Sequence, residues 1–128
     1  MEQLLHYVWK HKIFPLSALQ TTSGRPVEVI DPGLPNMNAG PDFFNAKLKI
    51  DGTLWVGNVE VHTQASDWLL HRHDRDKAYD TVILHVVGES NCDVYRTNGE
   101  LVPQMVLTCP DTVRLRYEEL RQTEIYPP

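Results

Sequence analysis

Apolar positions recur at helical spacing over residues 2–12, where Leu4, Leu5, Val8 and Trp9 form one stripe, and this predicts an amphipathic helix. Glu2 falls in its first turn, where the helix dipole favours an anion. Pro15 stops that helix or begins a second short one through Leu16 and Leu19. Ser23-Gly24-Arg25-Pro26 reads as a turn and Val27 to Ile30 as a short strand. Two longer strands are expected at residues 43–50 and 53–62, on either side of the Asp51-Gly52 turn. A helical turn from Gln64 to Leu70, a polar stretch from His71 to Lys77 and a strand from Thr81 to Val87 follow. Asn98-Gly99 predicts a hairpin between strands at 92–97 and 100–107. Asp111 is placed to cap a last helix whose Val113, Tyr117 and Leu120 share a face. The fold class is α+β, a mixed and largely antiparallel sheet flanked by helices.

Residues 31–41 carry three prolines and two glycines, a constrained loop suited to presenting groups beside a site. The strand pair after it decides which side chains those groups meet. A two-residue Asp51-Gly52 loop pairs Ile50 with Thr53, sets Lys47 and Lys49 on one face with Leu54 and Val56, and separates Asp42 from Glu60. A three-residue loop pairs Lys49 with Thr53 and gathers Phe44, Ala46, Leu48, Leu54 and Val56 on one apolar face. Asp42, Asn58, Glu60 and His62 then continue that face, with Asp42 opposite Glu60. The cleaner segregation favours the three-residue register.

Composition narrows the class without changing this picture. The 128 residues suit a single domain spanning 1–128, and 41% hydrophobic with 23% charged residues reads as globular. No run is long enough for a membrane span and no signal peptide is evident, so a cytoplasmic protein with no membrane partner is expected. Cys92 and Cys109 lack ligand-like spacing and read as reduced thiols. A net charge of −5 argues against a protein that coats a phosphate backbone, less so against one that gathers carboxylates in a cleft.

At Pro41-Asp42 and Glu60-Val61-His62 the chain resembles the PD-(D/E)XK nuclease superfamily, with His62 where that pattern has lysine. The resemblance implies a restriction-endonuclease-like fold, Mg²⁺ or Mn²⁺ held by Asp42 and Glu60 with help from His62, and phosphodiester hydrolysis on a nucleic-acid partner. It also implies an acid on the first helix, for which Glu2 is the candidate. The string from Asn36 to Asp42, with His71-Arg72-His73 and Val82 to Val87, is similar to an uncharacterised bacterial family of unknown function. Members of that family usually extend further towards the C-terminus, which leaves open that 1–128 is the N-terminal part of a longer architecture.

His71-Arg72-His73-Asp74-Arg75-Asp76 forms a second polar cluster. On an extended backbone His71 and His73 face the same way, as metal ligands at this spacing can. The stretch resembles the zinc motif of metallo-β-lactamase-like hydrolases, although Arg75 and Asp76 replace two of its ligands. Arg72 and Arg75 could contact phosphate, with Gln64 and Tyr79 adding hydrogen bonds. The competing reading is a solvated helix end. His85, within an apolar strand, is expected to be a hydrogen-bonded core or edge residue, and Trp68 a packing anchor.

The leading expectation is therefore a metal-dependent phosphodiesterase or nuclease using Asp42, Glu60 and His62, with Mg²⁺ or Mn²⁺ ahead of Zn²⁺. A catalytically silent scaffold or interaction domain is the alternative, and a zinc hydrolase using His62, His71 and His73 is third. A homodimer is left open.

Overall fold

The computed structural model describes residues 1–14 and 18–125. Helix α1 (Glu2–Lys10) buries Leu4, Leu5, Val8 and Trp9, the stripe expected from sequence. Trp9 also donates its indole N–H to the Pro32 carbonyl at 2.9 Å, tying the helix to the proline-rich loop. The strands are β1 (Leu19–Gln20), β2 (Pro26–Asp31), β3 (Leu34–Pro35), β4 (Phe43–Ile50), β5 (Thr53–Gln64), β6 (Val82–Glu89) and β7 (Gln104–Val106). They form one sheet in the order β1-β2-β4-β5-β6-β7, with β3 also pairing β4. Pairing is antiparallel as far as β5 and parallel from β5 through β6 to β7.

Parallel strands need a crossover. Here it is helix α2 (Asp67–Leu70) followed by two 3-10 turns, His73–Arg75 and Lys77–Tyr79. One sheet face packs Phe43, Leu48, Val59, Val61, Leu84, Val86 and Met105 against α1. A smaller core of Trp68, Val82, Val94 and Val102 lies beneath the crossover. Burying each large apolar side chain contributes about 1.5–3 kcal/mol, so the main face dominates stability. Helix α3 (Asp111–Ile125) covers little: Val113 and Tyr117 are partly covered, while Leu120 is exposed. Among the described residues no helix is long and apolar enough to cross a membrane.

The central hairpin corrects the expected register. Ile50 pairs with Thr53 and Lys49 with Leu54, so the loop has two residues. Asp51 (φ 53°) and Gly52 (φ 79°) both adopt the positive φ that such a tight turn requires. Leu54 and Val56 consequently share a face with Lys49 and Lys47, and each is 56% exposed. Apolar segregation misled because this end of β5 stands in solvent.

The expected neighbours nonetheless meet. Ala46 pairs with Gly57, but Phe43 pairs with Val59, so β4 carries one extra residue between them. Asn45 absorbs it in the left-handed region (φ 57°), with its N–H donating to Asn58 Oδ1 at 3.2 Å. This bulge shifts the register by one and turns Asp42 onto the face of Glu60.

Three further expectations change. Leu19 lies in a strand rather than a helix, while Pro15 and Leu16 fall outside the described residues. The Asn98-Gly99 hairpin is reduced to a single bridge, Tyr95 with Leu101. The segment after it forms β7 and pairs parallel with β6, whose residues 82–87 are all buried and need a partner on that edge.

Asn45→Val would force a β-branched residue into the left-handed region and should lower unfolding free energy by about 1–2 kcal/mol, whereas Asn45→Gly should stay near wild type. Urea denaturation of both variants checks this; equal stabilities would remove the bulge conformation as a constraint.

Candidate metal centre

Three strands carry one transverse polar row. Glu60 on β5 pairs with His85 on β6, and His85 pairs with Gln104 on β7. All three are buried, with Glu60 only 4% exposed. The bulge adds Asp42 to the row beside Glu60. The two acids bind one another's strands: the Asp42 N–H donates to Glu60 Oε1 at 3.0 Å, and the Val61 N–H donates to Asp42 Oδ2 at 2.8 Å. His62, two residues beyond Glu60, shares its face.

The crossover supplies the other half of the site. Trp68 is fully buried and donates its indole N–H to the Tyr95 carbonyl at 3.1 Å. Its ring meets His73 and His85 edge-on, making it the packing anchor expected from sequence. Helix α2 is followed by its capping residue His71, and Arg72 (φ 58°) turns the chain through the left-handed region into the His73 turn. Sequence analysis required an extended backbone for His71 and His73 to face together; the left-handed Arg72 brings them together instead. Tyr79 then stacks on His73, with ring centroids 3.5 Å apart and planes inclined by 15°.

These segments converge on a small volume. His62, His71 and His73 each offer a ring nitrogen, all within 4.8 Å of one another. Glu60 Oε2 lies 3.4 Å from His62 Nε2 and 2.8 Å from His73 Nε2. Donor atoms held at about 2.0–2.2 Å from one ion sit about 3–3.5 Å apart, close to the distances from Glu60 to His62 and His73. His73 strengthens the fit. Both its ring nitrogens are shielded from solvent without a hydrogen-bond partner, because the 2.8 Å approach to Glu60 is close in distance but poorly directed. Behind the cluster, His62 Nδ1 lies 2.7 Å from His85 Nε2, and His85 Nδ1 lies 2.9 Å from Gln104 Oε1.

Burial sets the charges. It pushes the Glu60 carboxyl up to about 10, reinforced by neighbouring Asp42. Burial pushes Asp42 up too, but His6, Glu60 and the Val61 N–H outweigh it and hold Asp42 below the ordinary carboxylate value. In the metal-free pair, Asp42 therefore carries the charge and Glu60 the proton. Burial lowers His62 to about 3 and both His73 and His85 to about 4, leaving neutral imidazoles with lone pairs to offer. His6 Nε2, from α1, lies 3.4 Å from Asp42 Oδ2.

The other candidates stand further out. Gln64 is exposed and donates to Glu89 Oε2 at 3.2 Å, so it is engaged at the strand end. Arg72 and Arg75 are exposed, and Arg75 lies 4.0 Å from Asp74. Glu2 is exposed on α1 and interacts electrostatically with His6 and Asp42. His6 and Gln104 were missed as site residues. The signal for His6 was its position four residues after Glu2 on one helix face. For Gln104 it was a single amide within the apolar run Leu101 to Leu107, since a buried amide needs partners.

The family described as "Protein of unknown function (DUF2851)" matches residues 2–128. The chain belongs to that family. No curated protein and no solved structure matches it. Family membership agrees with the uncharacterised-family resemblance, and the chemistry has to be argued from the residues.

Glu60→Gln keeps the amide-like shape of a protonated carboxyl. The folded chain holds the Glu60 proton up to about 10, while the unfolded chain releases it from about 4.5, so this contribution to wild-type stability falls as pH rises between those values. In chelator-treated protein, Glu60→Gln should therefore melt above wild type at about pH 8, with the gap narrowing towards about pH 5. The lowered histidines destabilise both proteins alike as pH falls through the ordinary histidine range, so their effect cancels in the difference. Melting curves across pH check the sign; a gap that widens towards low pH would contradict it.

Proposed function

We propose that the domain is a metal-dependent hydrolase acting on phosphodiesters, with its ion held by His62, His71, His73 and Glu60. The observation that carries this reading is the clustering of three imidazoles, two of which lie against the buried Glu60 carboxyl, with both nitrogens of His73 shielded and unpartnered. Three nitrogens and one oxygen favour a transition ion such as Zn²⁺ or Mn²⁺, and disfavour Mg²⁺, which prefers oxygen ligands. This donor set moves zinc ahead of its place in the sequence reading. When bound, such an ion lowers the pKa of a coordinated water and neutralises charge on a phosphoryl oxygen.

The remaining work falls to this chain's own side chains. Asp42 stays ionised beside Glu60 and is the group placed to accept a proton from water, while His6 steadies its charge. Arg72 and Arg75 stand in solvent on the segment that carries His71 and His73, where they can meet phosphate. A restriction-endonuclease-like arrangement is part of the proposal. It is supported by Pro41-Asp42 immediately before β4 and Glu60-Val61-His62 on the adjacent antiparallel β5. His62 replaces the lysine of that pattern and takes a ligand's role here.

One observation favours a second reading. Glu60, His62 and His73 are all buried, which also suits a structural ion stapling the crossover of a silent scaffold to the sheet.

Calorimetric titration with Zn²⁺ and Mn²⁺ tests the centre. His73→Ala and Glu60→Ala should each weaken binding by more than the roughly 10- to 100-fold typical of outer-shell partners. Wild type that binds neither ion would reject the metal centre. Asp42→Asn should keep the ion but slow hydrolysis of bis(4-nitrophenyl) phosphate by about 10²–10⁴-fold. An ion that raises the melting temperature without supporting turnover would select the structural reading.

A further inference from the structure

We propose that Gln104, acting through His85, is a positioning residue that fixes the tautomer of His62 and so presents its Nε2 lone pair to the site. This rests on the metal-site reading for what that lone pair serves, but the tautomer itself is a property of the metal-free protein.

The relay begins at Gln104. Its Nε2 donates to Ser90 Oγ at 2.8 Å and to the Cys92 carbonyl at 3.0 Å. A backbone carbonyl only accepts, so the amide cannot flip without setting oxygen against oxygen. Gln104 Oε1 must therefore face His85 Nδ1, 2.9 Å away, and that nitrogen must carry a proton. His85 is fully buried beside Trp68 and stays neutral, leaving Nε2 as an acceptor. His62 Nδ1, 2.7 Å away, must then be the donor. Neutral His62 retains its lone pair on Nε2, the atom 3.4 Å from Glu60 Oε2.

Each step allows one donor and one acceptor, so the choice made at Cys92 is passed on through two imidazoles. The opposite tautomer would place a hydrogen of His62 into the cluster and a lone pair against His85. Metal-ligating histidines commonly have the non-ligating nitrogen held by such an outer partner, usually a carbonyl or carboxylate. Here that partner is a second imidazole held by an amide, and a neutral relay adds no buried charge behind the site.

The test is ¹⁵N imidazole NMR on metal-free wild type and variants. Wild type should show His62 and His85 both protonated at Nδ1. Gln104→Leu should lose this pattern and weaken Zn²⁺ binding by about 10- to 100-fold. Wild-type His62 protonated at Nε2 would overturn the proposal, whether or not a variant folds. So would a folded Gln104→Leu that retains both Nδ1–H tautomers. Wild type with the expected tautomers but no affinity for Zn²⁺ or Mn²⁺ would reject the metal centre and support the tautomer lock.

Discussion

The buried carboxyl of Glu60 is the constraint around which the rest of the molecule is arranged. It sits on the inner face of a central strand, beside a second acid and against two neutral imidazoles. An ionised carboxylate there would lack a counter-charge, and burying an unpaired charge is costly enough that the group keeps its proton instead. A cation at the imidazoles would reverse that choice by supplying the missing charge. Without one, Glu60 keeps its proton, and the lowered values of His62 and His73 keep their lone pairs available.

Two local backbone departures place the groups around this carboxyl. Asn45 lets β4 hold an extra residue and turns Asp42 inward, while Arg72 lets two histidines separated by one residue converge. Both are non-glycine residues in the left-handed region, tolerated readily by Asn45 and at a cost of about 1–2 kcal/mol by Arg72. Hydrogen bonding to Asn58 supports the first, and the stacking of His73 on Tyr79 supports the second. Costs of this kind persist where the surrounding structure holds them in place, and such positions cluster at functional sites. Both set in place the groups that surround one carboxyl.

Local chemistry in the sequence was readable where short-range rules govern it. The α1 stripe, the strands around Asp51-Gly52 and the anchoring role of Trp68 all followed from periodicity and side-chain type. The meeting of Asp42 and Glu60 was anticipated through the wrong turn: a two-residue loop sets one register, and the bulge at Asn45 then shifts it. A bulge carries no periodic signal, since Asn45 is one polar residue in a strand that already alternates. The row from Glu60 through His85 to Gln104 was harder still, because it depends on two parallel pairings between segments far apart in sequence. The Asn98-Gly99 signal drew attention to a local hairpin, whereas the buried edge of β6 determined where the following segment pairs.

The histidine at position 62 follows from this environment. Its ring lies against His85, with His71 and His73 near by, and its side chain is almost wholly buried. A lysine there would need a charge partner that a protonated Glu60 does not offer, and its flexible stem could not accept a fixed orientation from the sheet. Imidazole can stay neutral, take its orientation from a hydrogen bond on one side and offer a lone pair on the other. Where a lysine would present a positive charge, His62 presents a neutral lone pair. The left-handed turn at Arg72 brings His71 and His73 to the same volume and adds ring nitrogens that the two strands alone do not supply.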